Sequence, residues 1–534
     1  MTAVGNKTGP SARRGPPWLL AGVILFAMGF AAANRFQLTY DVIYRLAADD
    51  AASASIAFAF LAAQAAVLLI ALWWLPRRWF IALAALAGAS ILVNLGYGET
   101  VAGPLDAATL AWMLGEARQA GHAAGEFAAP LLSAAAQTFS AIALLAGSRF
   151  AARRSGILPR ASGWQFAAIA ILLLAPSIAY RIVDVWPESA ERNLYALGWD
   201  IATADPPPPR AAPEWAPSTA GRALAPRHIL WLVDESVAAA PFDAVIAPLI
   251  EHVPHIDFGT AASMGNCSAP SQVALRSGVD VRHADARTDL RRTPSIWSYA
   301  KAAGYRTRLI DGQTSGAPQN LLFPPERALI DELVEMPDGI DTDRRIADRL
   351  NAELKQPGRS FTHVVLRGVH FQYSDHYPPG TLPPDAPLAL QYRTALAWSK
   401  RGFFDRLLRG VDRGAVAIVY TSDHGQNLTP GALPHCSRDP VRDEFRVPLI
   451  AFLPERLARR YFDAPRTGHS TSQILPATLI WMGYDPARVA ARYDADLTRP
   501  TARYVWFGRA AVPVSRGAPV EVHASAGFPG RGER

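Results

Sequence analysis

The chain has 534 residues, of which 50% are hydrophobic and 19% are charged, and its formal net charge is +7. So long and apolar a chain exceeds what one soluble core needs, and it predicts a membrane part followed by a soluble part. The excess of basic residues does not indicate nucleic-acid binding, because no basic stripe with interleaved aromatic residues is present.

Five apolar segments of roughly 20 residues predict helices that cross a bilayer. None of them contains Asp, Glu, Lys, Arg or His, so a transporter is not expected. The third and fourth segments are short and rich in Ala and Gly, and buried soluble helices are the alternative for these two. The five segments are Trp18–Ala33, Ala52–Trp74, Phe80–Leu95, Leu131–Gly147 and Trp164–Tyr180.

Basic residues cluster before the first segment, after the second and after the fourth, always at an even number of crossings. This pattern places the amino terminus in the cytoplasm and everything after Tyr180 on the far side of the membrane. In a bacterium, this topology would be that of a multi-pass inner-membrane protein with its soluble part in the periplasm. The basic residues are Lys7, Arg13, Arg14, Arg77, Arg78, Arg149, Arg153, Arg154 and Arg160.

The sequence pattern predicts four regions. A five-span transmembrane domain occupies residues 1–182, and a bridging helix over Val183–Trp199 with a Pro-rich linker fills residues 183–222. A soluble domain follows at 223–512. The tail, 513–534, is rich in Gly, Pro and Arg and is expected to be disordered.

Strand and helix patterns alternate in the soluble domain, which predicts an α/β fold with a mainly parallel sheet between helices. The predicted helices include Pro387–Leu408 and Ser472–Met482. The predicted strands are Ile229–Val233, Arg306–Asp311, Phe361–Leu366, Ala415–Tyr420 and Val447–Leu453.

Polar residues with metal-ligand chemistry follow three of these strands. Asp423 and His424 end the run AVAIVYTSDHG, Asp234 and Glu235 follow the first strand, and His370 follows the third. Ligands of open α/β sheets bind beyond the carboxyl ends of the strands, and carboxylate and imidazole groups are zinc ligands. The pattern therefore predicts a metal site, and an ordinary turn with a capping Asp is the alternative.

A small polar turn, NCSAPSQ, leads into a helical pattern at residues 266–279. The positive end of a helix favours an anionic oxygen, so Ser268 is the candidate nucleophile, and an ordinary N-cap serine is the alternative. Cys267 and Cys436 are the two cysteines of the chain, and in an oxidising compartment a disulfide between them would join two loops of the site. Two unpaired, small hydrophobic residues are the alternative for this pair.

The segment S-x-P-S-x-x-x-L-x-S-G, residues 268–278, resembles the nucleophile segment of the alkaline phosphatase and sulfatase superfamily. The acidic strand end, the Asp-His-Gly motif and the later histidines come in the same order as in that superfamily. Five amino-terminal spans before an outward-facing domain are similar to its lipid phosphoethanolamine transferases. The resemblance covers nearly the whole chain, including an outward loop with Asp106 and Glu116.

The resemblance implies a five-helix transmembrane domain followed by a periplasmic, sulfatase-like catalytic domain that holds one Zn²⁺ or two. The histidines it singles out could instead have surface or structural roles. The implied metal ligands are Glu235, Ser268, Asp423 and His424, and the implied catalytic residues are Ser268, His370 and His435. The implied substrate-binding residues are His370, His435, His469 and Glu116. His469 is also similar to a histidine linked to a second metal.

Three positions depart from the patterns of these families. The Gly that precedes the metal glutamate is Asp234 in this chain, and Asn266-Cys267-Ser268 replaces the Cys-Gly-Thr lead into the nucleophile. Gln272 stands where a true sulfatase would need Arg, so conversion of the nucleophile to formylglycine is not expected.

The implied reaction is transfer of phosphoethanolamine from phosphatidylethanolamine to lipopolysaccharide, on lipid A or core. Zn²⁺ would lower the pKa of the Ser268 hydroxyl, Ser268 would attack the phosphodiester, and a histidine would protonate the departing diacylglycerol. One alternative is a glycerol-phosphate or other phosphodiester transferase that acts on a periplasmic glucan or polymer. The other is a non-catalytic membrane protein that binds lipid.

Overall fold

The chain divides into two compact units. The first unit comprises Met1–Leu110 and Phe127–Ala204, and the second comprises Ala111–Glu126 and Asp205–Arg534. The computed structural model describes residues 16–47, 51–101, 105, 107–115, 127–156, 188–203, 208–285, 288–313, 319–437, 440–493, 495–501, 503–507 and 521–524.

The described residues of the first unit are mainly helical. Four of the five predicted spans are helices, and the fifth, Trp164–Tyr180, lies outside the described residues. The helices are Pro16–Ala33, Arg35–Gln37, a π-helix at Leu38–Ile43, Tyr44–Ala47, Ala51–Trp74, Arg77–Val101, Ala107–Gly115, Ala128–Arg154 and Ala190–Thr203.

Three helices of the first unit have the length and hydropathy of a membrane span: Ala51–Trp74, Arg77–Thr100 and Ala128–Arg154. The pair Pro17–Ala33 and Arg35–Ala47 would add a fourth span if the two helices, bent by 73°, are counted together. Their outer surfaces are apolar, and Phe139 remains 77% exposed. Such a surface suits contact with lipid.

Close helix packing holds the first unit together. Phe26 and Phe30 pack with Leu72 and Leu145 in one apolar cluster. A Cβ atom at Gly29 would lie 3.1 Å from the carbonyl oxygen of Ala141, so the backbones of two helices approach closely at this point. Small residues at helix contacts are typical of membrane proteins, where the hydrophobic effect does not drive helices together.

Polar side chains from the apolar helices bind the start of the helix that begins at Ala190. Gln64 Oε1 accepts the Ser189 N–H at 2.8 Å, and Asn34 Oδ1 accepts the Ala190 N–H at 2.7 Å. Asn34 Nδ2 also donates to Glu191 Oε2 at 3.1 Å. Since the first N–H groups of a helix have no partner within it, these side chains satisfy groups that would otherwise be buried without a hydrogen bond.

The second unit contains an eight-stranded sheet in the order β4-β3-β5-β1-β6-β7-β2-β8. Strand β1 pairs in parallel with β5 and β6, while β7 runs antiparallel to β6 and β2. The strands are β1 His228–Asp234, β2 Ile256–Ala262, β3 Arg306–Asp311, β4 Glu332–Glu335, β5 Ser360–Val365, β6 Val416–Ser422, β7 Arg446–Phe452 and β8 His469–Ser470.

The sheet confirms the predicted α/β fold and all five predicted strands, with ends that differ by two residues at most. The sequence pattern does not predict β2, β4 and β8. β2 is interrupted by Gly259, and β4 and β8 are only four and two residues long, so none has a clear apolar alternation. The predicted helix Pro387–Leu408 is two helices, because Gly402 adopts a φ of +66° between them.

Helices cover the sheet of the second unit. Short 3₁₀ turns lie at Gln319–Leu321, Tyr373–His376, Arg413–Ala415, Arg442–Glu444, Arg459–Tyr461 and Thr471–Gln473. The α-helices are Thr219–Leu224, Ala239–Val245, Ala247–Ile250, Ser268–Arg276, Ile296–Ala302, Pro324–Arg327, Thr342–Leu354, Leu388–Lys400, Phe403–Leu408, Glu455–Ala458, Ile474–Trp481 and Pro486–Tyr493.

The two predicted irregular segments contain ordered contacts. In the Pro-rich linker, Arg210 Nη1 donates to the carbonyl of Leu290 at 2.7 Å, so this segment packs on the second unit. Near the carboxyl terminus, β9, Arg503–Trp506, pairs antiparallel with β10, Glu521–Ala524. The prediction that residues 513–534 are disordered is therefore wrong for the four residues of β10.

We predict that Asn34→Leu destabilises the first unit. The substitution removes the acceptor of the Ala190 N–H and the donor to Glu191, and it leaves both groups buried. The free energy of unfolding in detergent should fall by about 1–3 kcal/mol. Ser140→Ala removes an exposed hydroxyl that bonds within its own helix, and it serves as the control. Equal stability of the two variants would contradict this role of Asn34.

Candidate metal centre and nucleophile

The centre lies at the carboxyl ends of β1 and β6. These strands are parallel neighbours, and Asp234 at the end of β1 is in register with Ser422 at the end of β6. Glu235 and Asp423 therefore leave the sheet side by side. The acidic residues therefore lie at the carboxyl ends of the strands, which is where the sequence pattern predicts the site.

Glu235, Asp423 and His424 form a compact group of potential metal ligands. One ligand atom from each lies within 4.8 Å of the others. Their exposed fractions are 1%, 3% and 0%. In the part of the chain that the structure describes, this is the group of His, Cys, Asp and Glu residues that could hold a metal ion.

Backbone contacts orient the ligand atoms. His424 Nδ1 lies 2.8 Å from the carbonyl oxygen of Gly425, so in the neutral imidazole the proton is on Nδ1 and the Nε2 lone pair is directed towards the group. Asp423 Oδ1 accepts the N–H groups of Ser236 and His424 at 3.2 and 2.8 Å. Asp423 Oδ2 is buried, lies 3.8 Å from His424 Nε2 and has no hydrogen-bond partner among the described residues, so one carboxylate oxygen is available to a cation.

The electrostatics of the group also fit a cation. Burial and the charge of Glu235 raise the pKa of Asp423 well above its ordinary value. Burial alone would raise the pKa of Glu235, but the hydrogen bond and charge of His424 lower it. Burial disfavours the imidazolium, yet the charges of Asp423 and Glu235 raise the pKa of His424 to about 9. Two buried carboxylates thus share the positive charge of one imidazolium, and a divalent cation would supply the charge that they lack.

Ser268 lies against this group. Its Oγ is 3.1 and 3.2 Å from the two carboxylate oxygens of Glu235, and 3.3 Å from His424 Nε2. It is the first residue of the helix Ser268–Arg276, and the N-cap is Cys267. The hydroxyl therefore faces the candidate ligands and does not cap the helix, which is the geometry a nucleophile requires.

A disulfide joins the Ser268 turn to the loop that carries His435. Cys267 and Cys436 are bonded, with their Cα atoms 4.7 Å apart, and 169 residues separate them in the sequence. The Cys436 N–H also donates to the carbonyl of Asn266 at 2.7 Å. The predicted bridge between two loops of the site is confirmed.

Two predicted substrate histidines stand beside the centre. The His435 ring is stacked on His424 with centroids 4.6 Å apart, and the His370 ring lies 5.0 Å from that of His435. Burial and the neighbouring histidines lower the pKa of His435 well below its ordinary value, so its imidazole is neutral at neutral pH. Within the described structure, the Nδ1 atom of His435 is buried and has no hydrogen-bond partner. These atoms could bind phosphoryl oxygens or transfer a proton.

His469 and Glu116 differ from the other predicted site residues. His469 Nε2 lies 2.6 Å from the carbonyl of Pro465, and Nδ1 lies 3.2 Å from Gln473 Oε1, so both ring nitrogens have protein partners. Its substrate or second-metal role stays a prediction. Glu116 lies outside the described residues.

The sequence pattern does not identify Gln313 as a site residue. Its Nε2 donates to Glu235 Oε2, and its Oε1 accepts from Asn320 at 3.3 Å. Gln313 follows β3, so a search of every predicted strand end would have found it. Asp234, by contrast, is one of the polar residues that the sequence pattern places at the site, but its carboxylate binds Lys400 and is not part of the metal-ligand group.

We predict that the double variant Cys267→Ser/Cys436→Ser folds less stably. Loss of a native disulfide that closes a long loop should lower the free energy of unfolding by about 2–5 kcal/mol. Chemical denaturation of the variant and wild type measures the difference. Thiol labelling of denatured wild type should be absent before reduction and present after it. Labelling without reductant would contradict the bond.

Residues 247–484 match the sulfatase family model. A search of curated protein sequences found no match. Among solved structures, the C-terminal periplasmic domain of EcEptC from Escherichia coli, in complex with Zn, has 17% identity and a TM-score of 0.46, over 60% of this chain and 98% of that chain. The integral membrane lipooligosaccharide phosphoethanolamine transferase A from Neisseria meningitidis has 14% identity and a TM-score of 0.46, over 88% of this chain and 96% of that chain. Residues 247–484 of this chain are thus similar to the sulfatase family.

Proposed function

We propose that this protein is a zinc-dependent phosphoethanolamine transferase that forms a covalent intermediate on Ser268. The observation that carries the proposal is the position of the Ser268 hydroxyl, 3.1 to 3.3 Å from two of three buried residues that could hold a metal ion. The sulfatase-family match and the resemblance of the nucleophile segment support the same chemistry. The donor is phosphatidylethanolamine, and the acceptor is lipopolysaccharide, on lipid A or core.

Glu235, Asp423 and His424 would hold the zinc, with the Ser268 hydroxyl beside them. Zinc bound there would act as a Lewis acid, lower the pKa of a nearby hydroxyl and neutralise charge on phosphoryl oxygens. Carboxylate oxygens and imidazole nitrogens are both zinc ligands, so these two carboxylates and one imidazole fit the metal. The Oδ2 atom of Asp423, which has no hydrogen bond in the described part of the chain, supports this assignment.

The first half of the reaction uses Ser268 and a histidine. Ser268 Oγ forms a bond to phosphorus while the bond from phosphorus to the diacylglycerol oxygen breaks. The Ser268 proton would pass along its hydrogen bond to a carboxylate oxygen of Glu235. His370 gives a proton to the departing diacylglycerol oxygen, and the neutral imidazole of His435 binds a phosphoryl oxygen.

In the second half of the reaction, the phosphoethanolamine group passes from Ser268 to the acceptor. A hydroxyl or phosphate oxygen of the acceptor attacks the phosphoethanolamine-serine, and Ser268 Oγ leaves and regains a proton. Because donor and acceptor react in turn at one serine, the kinetics should be ping-pong.

The protein would act at the inner membrane, with its second unit in the periplasm. The apolar helices of the first unit support membrane association. The bond between Cys267 and Cys436 supports an oxidising compartment on the side of the second unit. His469 and Glu116 are proposed to bind substrate. Anchoring at the bilayer would keep the site near two lipid substrates.

Ser268→Ala should abolish transfer, with a loss of roughly 10³-fold or more, because no hydroxyl remains to attack phosphorus. Transfer is measured from labelled phosphatidylethanolamine to lipopolysaccharide in lipid extracts. Mass analysis of wild type incubated with donor alone should find phosphoethanolamine on Ser268. A glycerol-phosphate adduct would support the alternative transferase.

Ser271→Ala is the matched control for that experiment. Ser271 lies in the same helix and is buried, but its hydroxyl has no hydrogen-bond partner in the described structure. The control should retain transfer. Full activity of Ser268→Ala would refute the proposal.

Removal of zinc by a chelator should abolish transfer, and added zinc should restore it. Metal content is measured in parallel, so that inactivity is compared with actual zinc loss. Asp423→Asn should bind zinc about 10-fold or more weakly, because one carboxylate ligand is lost. Activity that persists after demonstrated removal of zinc would exclude a zinc-dependent mechanism.

A further inference from the structure

We propose that Lys400 is a positioning residue for this centre, since its single ammonium group joins the loop that carries Glu235 to the loop that carries His370. The role of these loops in transfer rests on the proposed function, whereas the link between them and its effect on zinc binding do not. Lys400 is the last residue of the helix Leu388–Lys400, and it is not itself a candidate ligand.

Lys400 is completely buried between two carboxylates. The exposed fraction of its side chain is 0%, and Nζ lies 2.8 Å from Asp234 Oδ2 and 2.7 Å from Asp343 Oδ2. Ser399 Oγ is 2.7 Å away. A buried ammonium is costly unless it is paired and hydrogen-bonded, and here each of these partners is a fixed group of the interior.

Asp234, which supplies the first carboxylate, is bonded to both metal-ligand segments, through its side chain to one and through its backbone to the other. Asp234 Oδ1 accepts the Glu235 N–H at 3.1 Å. The backbone oxygen of Asp234 accepts the Asp423 N–H at 3.0 Å. Tyr420 donates to Asp234 Oδ2, the oxygen that also binds Lys400. A shift of Asp234 would therefore move the backbone of Glu235 and Asp423.

The second carboxylate, Asp343, holds the loop that leads to His370. Its oxygens accept the N–H of Arg367 at 2.8 Å and the N–H of Gly368 at 3.3 Å. Gly368 has a φ of +58°, and a Cβ atom there would lie 2.5 to 2.6 Å from atoms of Glu235. This loop therefore rests directly on the metal glutamate.

The geometry differs from that of an ordinary structural ion pair. Both carboxylates that bind Lys400 also accept backbone N–H groups of the two site loops. The ammonium therefore holds the two carboxylates in place, and the carboxylates position the loops. Without the positive charge, two buried carboxylates would repel each other across the space that Lys400 fills. The loops would separate, and the ligand atoms at their ends would lose their arrangement. Groups that orient metal ligands commonly affect affinity 10–100-fold.

The test is a zinc titration of the full chain in detergent, by competition with a chelator of known affinity. Lys400→Met should raise the dissociation constant for zinc about 10-fold or more. It should also lower the transfer rate at saturating zinc, because the His370 loop is displaced. Zinc affinity equal to that of wild type would overturn the proposal.

A second variant keeps the test decisive if Lys400→Met does not fold. The triple variant Asp234→Asn/Asp343→Asn/Lys400→Met leaves no buried charge in the cluster, and its amide oxygens can still accept the backbone N–H groups. We expect it to fold and to bind zinc more weakly than wild type. A folded triple variant with unchanged zinc affinity would also overturn the proposal.

Leu350→Ala is the control for lost stability. Leu350 is buried in the apolar core on the helix Thr342–Leu354, which also carries Asp343. This variant should lose stability and retain zinc affinity. An equal loss of zinc affinity in Leu350→Ala and Lys400→Met would show a general effect of stability and overturn the proposal. If wild type binds zinc but transfers no phosphoethanolamine, the proposed function fails, and the effect of Lys400 on zinc still stands.

Discussion

Two carboxylates buried side by side at the ends of β1 and β6 impose the main constraint on this protein. Glu235 and Asp423 have almost no access to solvent, and one imidazole, His424, is their nearest source of positive charge. Uncompensated charges of this kind are too costly to keep in a protein interior. The arrangement is therefore best understood as a binding site for a cation, with the Ser268 hydroxyl placed where the charge acts.

Several kinds of bond bring distant segments of the second unit to this centre. Backbone pairing between β1 and β6 places the ligands side by side. The disulfide places His435 near Ser268 although 169 residues separate its two cysteines. The buried Lys400 connects the segments before Glu235 and His370 through ionic and hydrogen bonds. The disulfide, the ion pairs of Lys400 and the backbone pairing of the sheet together hold the side chains of the centre, which no single helix or strand could position.

In the first unit, polar and apolar residues have different structural roles. The apolar side chains form the outer surface and the contacts between helices, as lipid requires. The few polar side chains, such as Asn34 and Gln64, satisfy the beginning of the helix at Ala190. Because an unpaired polar group is costly at such a buried position, these residues stabilise one particular arrangement of helices.

Local sequence patterns predict the α/β class, five of the ten strands in the described residues and the candidate ligands Glu235, Asp423 and His424, because a buried strand that ends in polar residues is a local pattern. The sequence also pointed to the Cys267–Cys436 bond, since the chain offers one pairing. The contact of Gln313 with Glu235 and the ion pair of Asp234 with Lys400 are known only from the folded chain. The direction of a side chain depends on partners far away in the sequence, and local patterns carry no record of them.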